Sequence, residues 1–254
     1  MWAVVSSKGG VGKSSIAKNL LLPYLINKYG EAVYVNTDPT NDEDKLVNAK
    51  HYKVTSLRIK PERIEDIDFS PEVVLDTGAG KNSIEVINAL NELGAETITK
   101  IVIPIGKRIS EINEALKTYS FAKRKGFSKF VFVLNKVSSW DNYKEEFDMF
   151  FNPIRAGKEA PINLIEENDR NIAKFPMDTY AVLGNIEDLE KRLPCDFLKD
   201  FEEFNKTYME KLTTNPKSLT VEEKLKRRFF KRLKNLFELI LSKENIATLE
   251  RVEK

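Results

Sequence analysis

The sequence predicts an α/β fold: a doubly wound, mostly parallel sheet followed by a helical extension at the C-terminus. Three observations carry this reading. Short apolar runs alternate with stretches of helical periodicity over most of residues 1–185, the pattern of βαβ crossovers and a sheet covered on both faces. The first apolar run passes through a glycine-rich turn straight into a helix. The charge balance then changes towards the C-terminus: residues 217–254 hold 11 Lys/Arg against 6 Asp/Glu, whereas residues 1–216 hold 30 against 33.

Taken in order, residues 3–7 form a short strand and 13–27 a helix. Residues 32–36 (AVYVN) and 53–59 (KVTSLRI) read as strands, and 72–75 (EVVL) as a buried strand ending at Asp76. A helix over 81–93 leads to a strand at 100–105 (KIVIPI). A helix over 110–125, closed by Gly126, leads to another at 129–134 (KFVFVL). A further short strand is expected near 162–165. Residues 189–211 form a long amphipathic helix carrying Leu193, Phe197, Phe201, Phe204 and Tyr208, and 213–220 (TTNPKSLT) reads as a linker. The expected organisation is therefore one domain at 1–212 and a basic helical extension at 213–254.

Composition removes several function classes. With 41% apolar and 31% charged residues the chain can bury a core, and a net charge of +2 by itself names no partner. One cysteine (Cys195) and one histidine (His51) exclude a disulfide framework, Ser-His-Asp chemistry and multi-His or multi-Cys metal sites. No run of ~18 apolar residues occurs, and the N-terminus has no signal-peptide pattern, so a cytoplasmic protein is expected. His51 lies in a polar stretch and receives no role.

The turn after the first strand reads Ser7-Lys8-Gly9-Gly10-Val11-Gly12-Lys13-Ser14-Ser15. Glycines let backbone amides turn inward around an oxyanion, and the following helix points its amino end at the same charge. Lys13 is placed to reach the β- and γ-phosphates, and Ser14 to offer a hydroxyl to Mg²⁺. This is a phosphate-binding loop between strand and helix, and it predicts a P-loop NTPase. The strict G-x-x-x-x-G-K-[ST] pattern is not met, because Ser7 stands at its first position. An additional lysine, Lys8, is present instead.

With that lysine the loop resembles the deviant Walker A motif of the ParA/MinD family of ATPases. The resemblance extends over most of residues 1–185. Val33-Tyr34-Val35-Asn36-Thr37-Asp38-Pro39 looks like the family's second strand and switch I, which implies that Asp38 holds the attacking water and contacts the magnesium shell. Val73-Val74-Leu75-Asp76-Thr77-Gly78 resembles its Walker B strand and switch II, with Asp76 in the Mg²⁺ outer shell. Phe132-Val133-Leu134-Asn135-Lys136 is similar to the strand whose terminal Asn recognises adenine, here Asn135. Phe175-Pro176-Met177-Asp178 resembles the later loop that flanks the base through Pro176. Lys107 and Arg108 read as a solvated loop within reach of phosphates.

The resemblance further implies that Lys8 crosses a nucleotide sandwich homodimer to the partner's phosphates, with ATP holding the dimer together. No His or Glu general base is identifiable, which fits slow, switch-like hydrolysis. Three features depart from the family pattern. Thr40-Asn41-Asp42 replaces the usual Gln-Gly-Asn after Asp-Pro, and Pro23 interrupts the first helix. The chain also starts at the first strand, so sequence-specific DNA binding through an N-terminal helix-turn-helix is not expected.

Residues 221–241 (VEEKLKRRFFKRLKNLFELIL) place Leu225, Phe229, Leu233, Leu236, Phe237 and Ile240 on one helical stripe. Lys224, Lys226, Arg227, Arg228, Lys231, Arg232 and Lys234 crowd the other faces. Three readings stay open: a helix docked on the body, a non-specific DNA surface, or an interfacial membrane helix. The expected function is a ParA-like Mg-ATP switch, nucleoid-associated, that partitions a plasmid, chromosome or other cargo. A small DNA-binding or adaptor protein would stimulate its hydrolysis. The alternatives are a MinD-like membrane-cycling ATPase and a nucleotide-gated adaptor in plasmid stability or conjugation.

Overall fold

In the computed structural model, residues 1–38, 47–153, 159–177, 183 and 192–254 are described. Seven strands form one sheet: β1 (Trp2–Val4), β2 (Glu31–Asn36), β3 (Lys53–Arg58), β4 (Val73–Asp76), β5 (Lys100–Ile105), β6 (Phe130–Val137) and β7 (Ile172–Pro176). Their order is β3-β2-β4-β1-β5-β6-β7, and every pairing is parallel. The chain leaves β1 towards β2, and leaves β4 across β1 towards β5. The crevice this divergence opens lies at the carboxyl ends of β1 and β4, where ligands of such sheets sit.

Alternation along each strand divides the core into two layers. Trp2, Val4, Val74, Val102, Val131 and Val133 face one layer, and Ala3, Leu75, Ile101, Ile103, Phe130 and Phe132 face the other. The first layer is covered by helix α1 (residues 13–29) and by three C-terminal helices. The second is covered by α2 (Lys81–Glu92) and α3 (Ile109–Arg124).

Pro23 does not end α1. Proline has no N–H to offer the carbonyl four residues back, an arrangement costing about 3 kcal/mol in a regular helix. The segment Ala17–Leu21 widens into π-helical turns just before it, with the Leu22 N–H bonded to the Ala17 carbonyl. The helix continues through Leu22–Tyr29 and stops at Gly30, whose φ of 80° suits only a residue without a side chain.

Two sequence expectations need correction. Residues 162–165 are not a strand; Pro161–Leu164 is a single 3₁₀ turn, started by the proline at its head. The seventh strand is Ile172–Pro176, of which the sequence reading took only Phe175 and Pro176, as part of a loop. Its outer edge is completed from far along the chain. Asn245 accepts the Lys174 N–H at 2.9 Å and donates to the Lys174 carbonyl at 2.7 Å, while Thr248 donates to the Ile172 carbonyl at 3.2 Å. A strand edge is thereby closed to intermolecular pairing.

The C-terminal helices are α4 (Pro194–Thr214), α5 (Val221–Ile240) and α6 (Lys243–Glu253). The expected start of α4 at residue 189 falls outside the described residues, and Leu193 stands at its N-cap. Thr220 and Glu223 cap α5 reciprocally: the Thr220 hydroxyl accepts the Glu223 N–H at 3.1 Å, and Glu223 accepts the Thr220 N–H at 2.8 Å. The buried seam of α5 is Phe230, Leu233, Leu236, Phe237 and Ile240. Leu225 and Phe229, expected on that stripe, are 57% and 39% exposed. The stems of Lys226, which is exposed, and Arg227, which is half-buried, lean towards α4 at the start of the helix. The ammonium of Lys226 lies 5.0 Å from the Phe204 ring centre, and the Arg227 guanidinium 4.6 Å from that of Tyr208. Aromatic faces on α4 attract the cations, and their apolar stems cover the surface that Leu225 would have sought. No helix among the described residues is long and apolar enough to cross a membrane.

Candidate functional site

The loop between β1 and α1 is built to present backbone amides. Gly10 and Gly12 have φ of 73° and 90°, conformations a side chain would strain, and Gly12 forms the N-cap of α1. The stem of the loop is tied to the start of α2. Ser83 donates to the Ser6 carbonyl at 2.9 Å and accepts the Ser6 N–H at 3.1 Å, and the Gly80 N–H donates to the Ser7 carbonyl at 2.8 Å.

The two loop lysines occupy different places. Lys13 is buried, with its ammonium 3.3 Å from the Lys8 carbonyl, so it closes the loop from beneath. Burial pushes the Lys13 pKa down, against the pull of Asp76 and Asp38. Lys8 stands at the rim, its ammonium donating to the Ser110 hydroxyl at 2.8 Å. The neighbouring Ser7 hydroxyl donates to Glu114 at 2.7 Å, so α3 holds the outer lip of the loop. Beside that lip is a cleft of about 430 Å³ with Lys8, Lys107, Arg108 and Lys136 around it and Glu111 as its acid. An excess of positive charge over exposed glycine amides is a phosphate-binding environment.

Asp76 ends β4 at the bottom of the crevice. Burial raises its carboxyl above the ordinary range, while the hydroxyls of Tyr34 and Ser14 and the ammonium groups of Lys18 and Lys13 pull the other way. Tyr34 donates to its Oδ2 at 2.6 Å. The other oxygen, Oδ1, is buried with no hydrogen-bond partner among the described residues. A buried carboxylate oxygen left open beside a serine hydroxyl suits a hydrated divalent cation, so Ser14 and Asp76 fit Mg²⁺. Asp38, at the end of β2, is half-buried; its N–H donates to the Asn36 side chain at 2.7 Å and its charge reaches Lys13. Loop, Lys13, Ser14, Asp38 and Asp76 are therefore brought together at one crevice.

The two residues expected near the base are placed at its edge. Asn135 is buried and donates to the Val11 carbonyl at 2.7 Å, bracing the glycine loop from the β6 side. Pro176 ends β7 beside a second cleft lined by Val137, Trp140 and Met177. Asp178 lies outside the described residues, as do Pro39, Thr40, Asn41 and Asp42.

Of the basic residues on α5, Lys224, Arg228 and Lys231 are exposed. Lys234 is exposed too, with Glu238 at 3.9 Å. Lys226 and Arg232 are exposed as well, the first with its ammonium by the Phe204 ring and the second lining the second cleft, while Arg227 is half-buried over the Tyr208 ring. His51 is a structural residue: its Nε2 sits 2.6 Å from Asp200, which also accepts from Arg192 at 2.9 Å.

Several residues of the site gave no signal in the sequence. Tyr34 faces Asp76 from the neighbouring strand, and Ser83 and Asn82 knit the loops after β1, β2 and β4. Ser110 and Glu114 engage the glycine loop from more than 100 residues away. Asn82 occupies helix α2 right after a glycine turn, where it reads as an ordinary helix-start residue.

Fold and site together define a doubly wound α/β domain of the P-loop type, with its glycine loop at the carboxyl end of the central strand. Among solved structures, a chain of the MinC:MinD cell division protein complex of Aquifex aeolicus aligns with a TM-score of 0.52 at 14% identity, over 79% of this chain and 88% of that one. The MinD cell division protein of Aquifex aeolicus gives 0.49 at 17% identity, over 74% and 86% of the two chains. The cell division ATPase MinD of Pyrococcus furiosus gives 0.47 at 15% identity, over 92% and 98%. At 14% identity the first of these alignments shows a likeness of fold alone. In sequence the chain matches no family model and no curated relative.

Proposed function

We propose that this chain is a nucleotide-switched ATPase of the ParA/MinD kind. It holds Mg-ATP at the loop after β1, pairs with a second copy across the nucleotide, and hydrolyses ATP slowly. The observation that carries the reading is the division of labour between the two loop lysines. Lys13 lies beneath the loop with Asp76, where one chain's phosphates need it; Lys8 stands outside, its ammonium donating to Ser110 in an exposed hydrogen bond. A single-chain phosphate site has no use for the second lysine, whereas a sandwich of two copies does. Lys13, the amides of Gly9 to Gly12, Ser14 and Ser15 bind the phosphates, and Asp38 orients the attacking water. Ser14, Asp38 and Asp76 are the residues that would hold Mg²⁺, which would supply positive charge to the phosphoryl oxygens.

Residues 213–254 are proposed as the attachment element, through the exposed basic residues of α5. The first reading is non-specific attachment to DNA in partition or cargo positioning. The second, a MinD-like cycle on membranes, is favoured by one observation: Leu225 and Phe229 are exposed beside that basic surface, as an interfacial helix requires. The fold neighbour described as a MinC:MinD complex also supports an adaptor-type protein partner.

Calorimetry with Mg-ATP and Mg-ADP tests the core of the reading. Heat is expected with both and is lost in Lys13→Ala. Light scattering should show an ATP-dependent dimer that Lys8→Ala fails to form. Absence of heat with the intact chain overturns the ATPase reading; a normal Lys8→Ala dimer overturns the sandwich.

A further inference from the structure

On β2, Tyr34 pairs with Val74 of β4, and Asp76 follows two residues further along that strand. Tyr34 and Val74 belong to the core layer under α1, and alternation turns Asp76 the same way. On α1, Ser14 and Lys18 stand four residues apart and share one face of the helix. Three elements therefore converge on the Asp76 carboxyl group: it takes hydrogen bonds from the Tyr34 and Ser14 hydroxyls and feels the charge of Lys18.

Tyr34 is fully buried, and its hydroxyl donates to Asp76 Oδ2 at 2.6 Å. A buried phenol needs a partner, but a backbone carbonyl would serve as well as a carboxylate. What sets this bond apart is the other oxygen, Oδ1, which is buried and unpaired among the described residues. The chain contains a second buried tyrosine–aspartate bond, from Tyr119 to Asp169 at 2.8 Å. There Lys123 donates to the same carboxylate oxygen at 2.7 Å, so the fold itself answers the charge.

A carboxylate turns readily about its Cβ–Cγ bond, and the ammonium groups of Lys13 and Lys18 both attract this one. Turning onto either would spend on the protein the charge that a divalent cation needs. With Oδ2 held by Tyr34, the group cannot turn without breaking a buried hydrogen bond to a charged acceptor, one of the strong kind.

We propose that Tyr34 is a positioning residue for the magnesium site, holding Asp76 so that Oδ1 is kept for the water shell of the cation. This rests on the phosphate and metal site proposed above. Tyr34 acts through Asp76, as a group standing behind a metal ligand does.

The test is calorimetry on the full chain, with ATP in Mg²⁺ and with ATP in EDTA. Tyr34→Phe keeps the ring and removes the hydroxyl. It should weaken ATP in Mg²⁺ by about tenfold, the lower end of the loss when a group behind a metal ligand is removed, and leave ATP in EDTA unchanged. Tyr119→Phe, which removes the matching bond in the other core layer, should lower the melting temperature and change neither affinity. A purely structural role for Tyr34 weakens both affinities together. That result, or an unchanged affinity in Mg²⁺, overturns the proposal while the phosphate site stands. If the intact protein binds ATP equally in Mg²⁺ and EDTA, the metal site falls and the role of Tyr34 with it; if it binds ATP in neither, the phosphate site falls too. Labelling Tyr34 as 3-fluorotyrosine retains the hydroxyl and covers the case in which Tyr34→Phe does not fold. Its fluorine resonance should shift with ATP in Mg²⁺ and not with ATP in EDTA, and an unmoved resonance overturns the proposal.

Discussion

Asn82 holds Thr37 from two sides: its amide donates to the Thr37 carbonyl at 2.8 Å, and its oxygen accepts the Thr37 hydroxyl at 3.0 Å. The same oxygen accepts the Gly78 N–H at 2.7 Å. One side chain at the start of α2 thus couples the loop that carries Asp38 to the loop that follows Asp76. In a nucleotide-switched protein these two loops must respond together, and Asn82 is the covalently simplest way to link them.

Asn82→Ala leaves a buried N–H and a buried carbonyl without partners. Urea unfolding should show a loss on the order of 2 kcal/mol. Hydrogen exchange at the Asp38 and Gly78 amides should accelerate more than in the core strands. Unchanged exchange at both amides would mean that the loops are held by other contacts.

Asp76→Asn should separate stability from function. The Asp76 carboxyl titrates higher in the folded chain than unfolded, so its charged form costs stability above that range. The ligand-free variant should melt at the same temperature as the parent or higher at pH 7. The difference should vanish as pH falls below the ordinary carboxylate range, where the acid is protonated in both states. Magnesium-dependent stabilisation by ATP should disappear, and its survival would remove Asp76 from the metal site.

The exposed basic residues of α5 decide between the two attachment surfaces. Replacing Lys224, Arg228 and Lys231 together by Glu should weaken binding to random-sequence duplex DNA. It should also reduce the slope of log affinity against log salt by roughly 3, close to one for each lost phosphate contact. Leu225→Ser with Phe229→Ser should leave DNA binding intact and abolish binding to anionic liposomes if the membrane reading holds. A chain that binds neither surface in any nucleotide state would leave α5 with a packing role only.

Glu253 ties the C-terminal helix to α1. Burial acts to raise its carboxyl, but Lys28, Tyr24 and Tyr29 outweigh it and hold the group below the usual glutamate range. Tyr24 donates to it at 2.7 Å, and Lys28 forms an ion pair with it. A carboxyl depressed in the folded state stabilises above its unfolded pKa, and that stability is lost as pH falls through the folded value. Glu253→Gln should therefore cost on the order of 2 kcal/mol at pH 7. The gap to the parent should begin to narrow near the unperturbed glutamate value, about pH 4, and close only once pH has fallen below the depressed folded value. A gap independent of pH would show that packing, not charge, sets the contribution.

The glycine-rich turn, its lysines and the strand-end carboxylates are legible in the sequence because each depends on neighbours a few residues away. Glycine at a positive φ, an amphipathic period and a proline at a helix start are local constraints, and they place β1, α1, β4 and the cradle. The seventh strand is not legible: Lys174 interrupts its apolar run, and its outer edge is completed by Asn245, 71 residues later. Nor is the phase of α5, in which Phe230 is buried against Phe201 and Phe204 of α4, Arg227 lies over the Tyr208 ring and Phe229 faces out. Sequence alone determined the chemistry available at the crevice. Only the tertiary structure decided which side chains brace it, because Tyr34, Asn82, Ser83, Ser110 and Glu114 act through contacts between distant elements. The energy of such contacts comes from desolvated pairing after the layers close, and no stretch of adjacent residues encodes it.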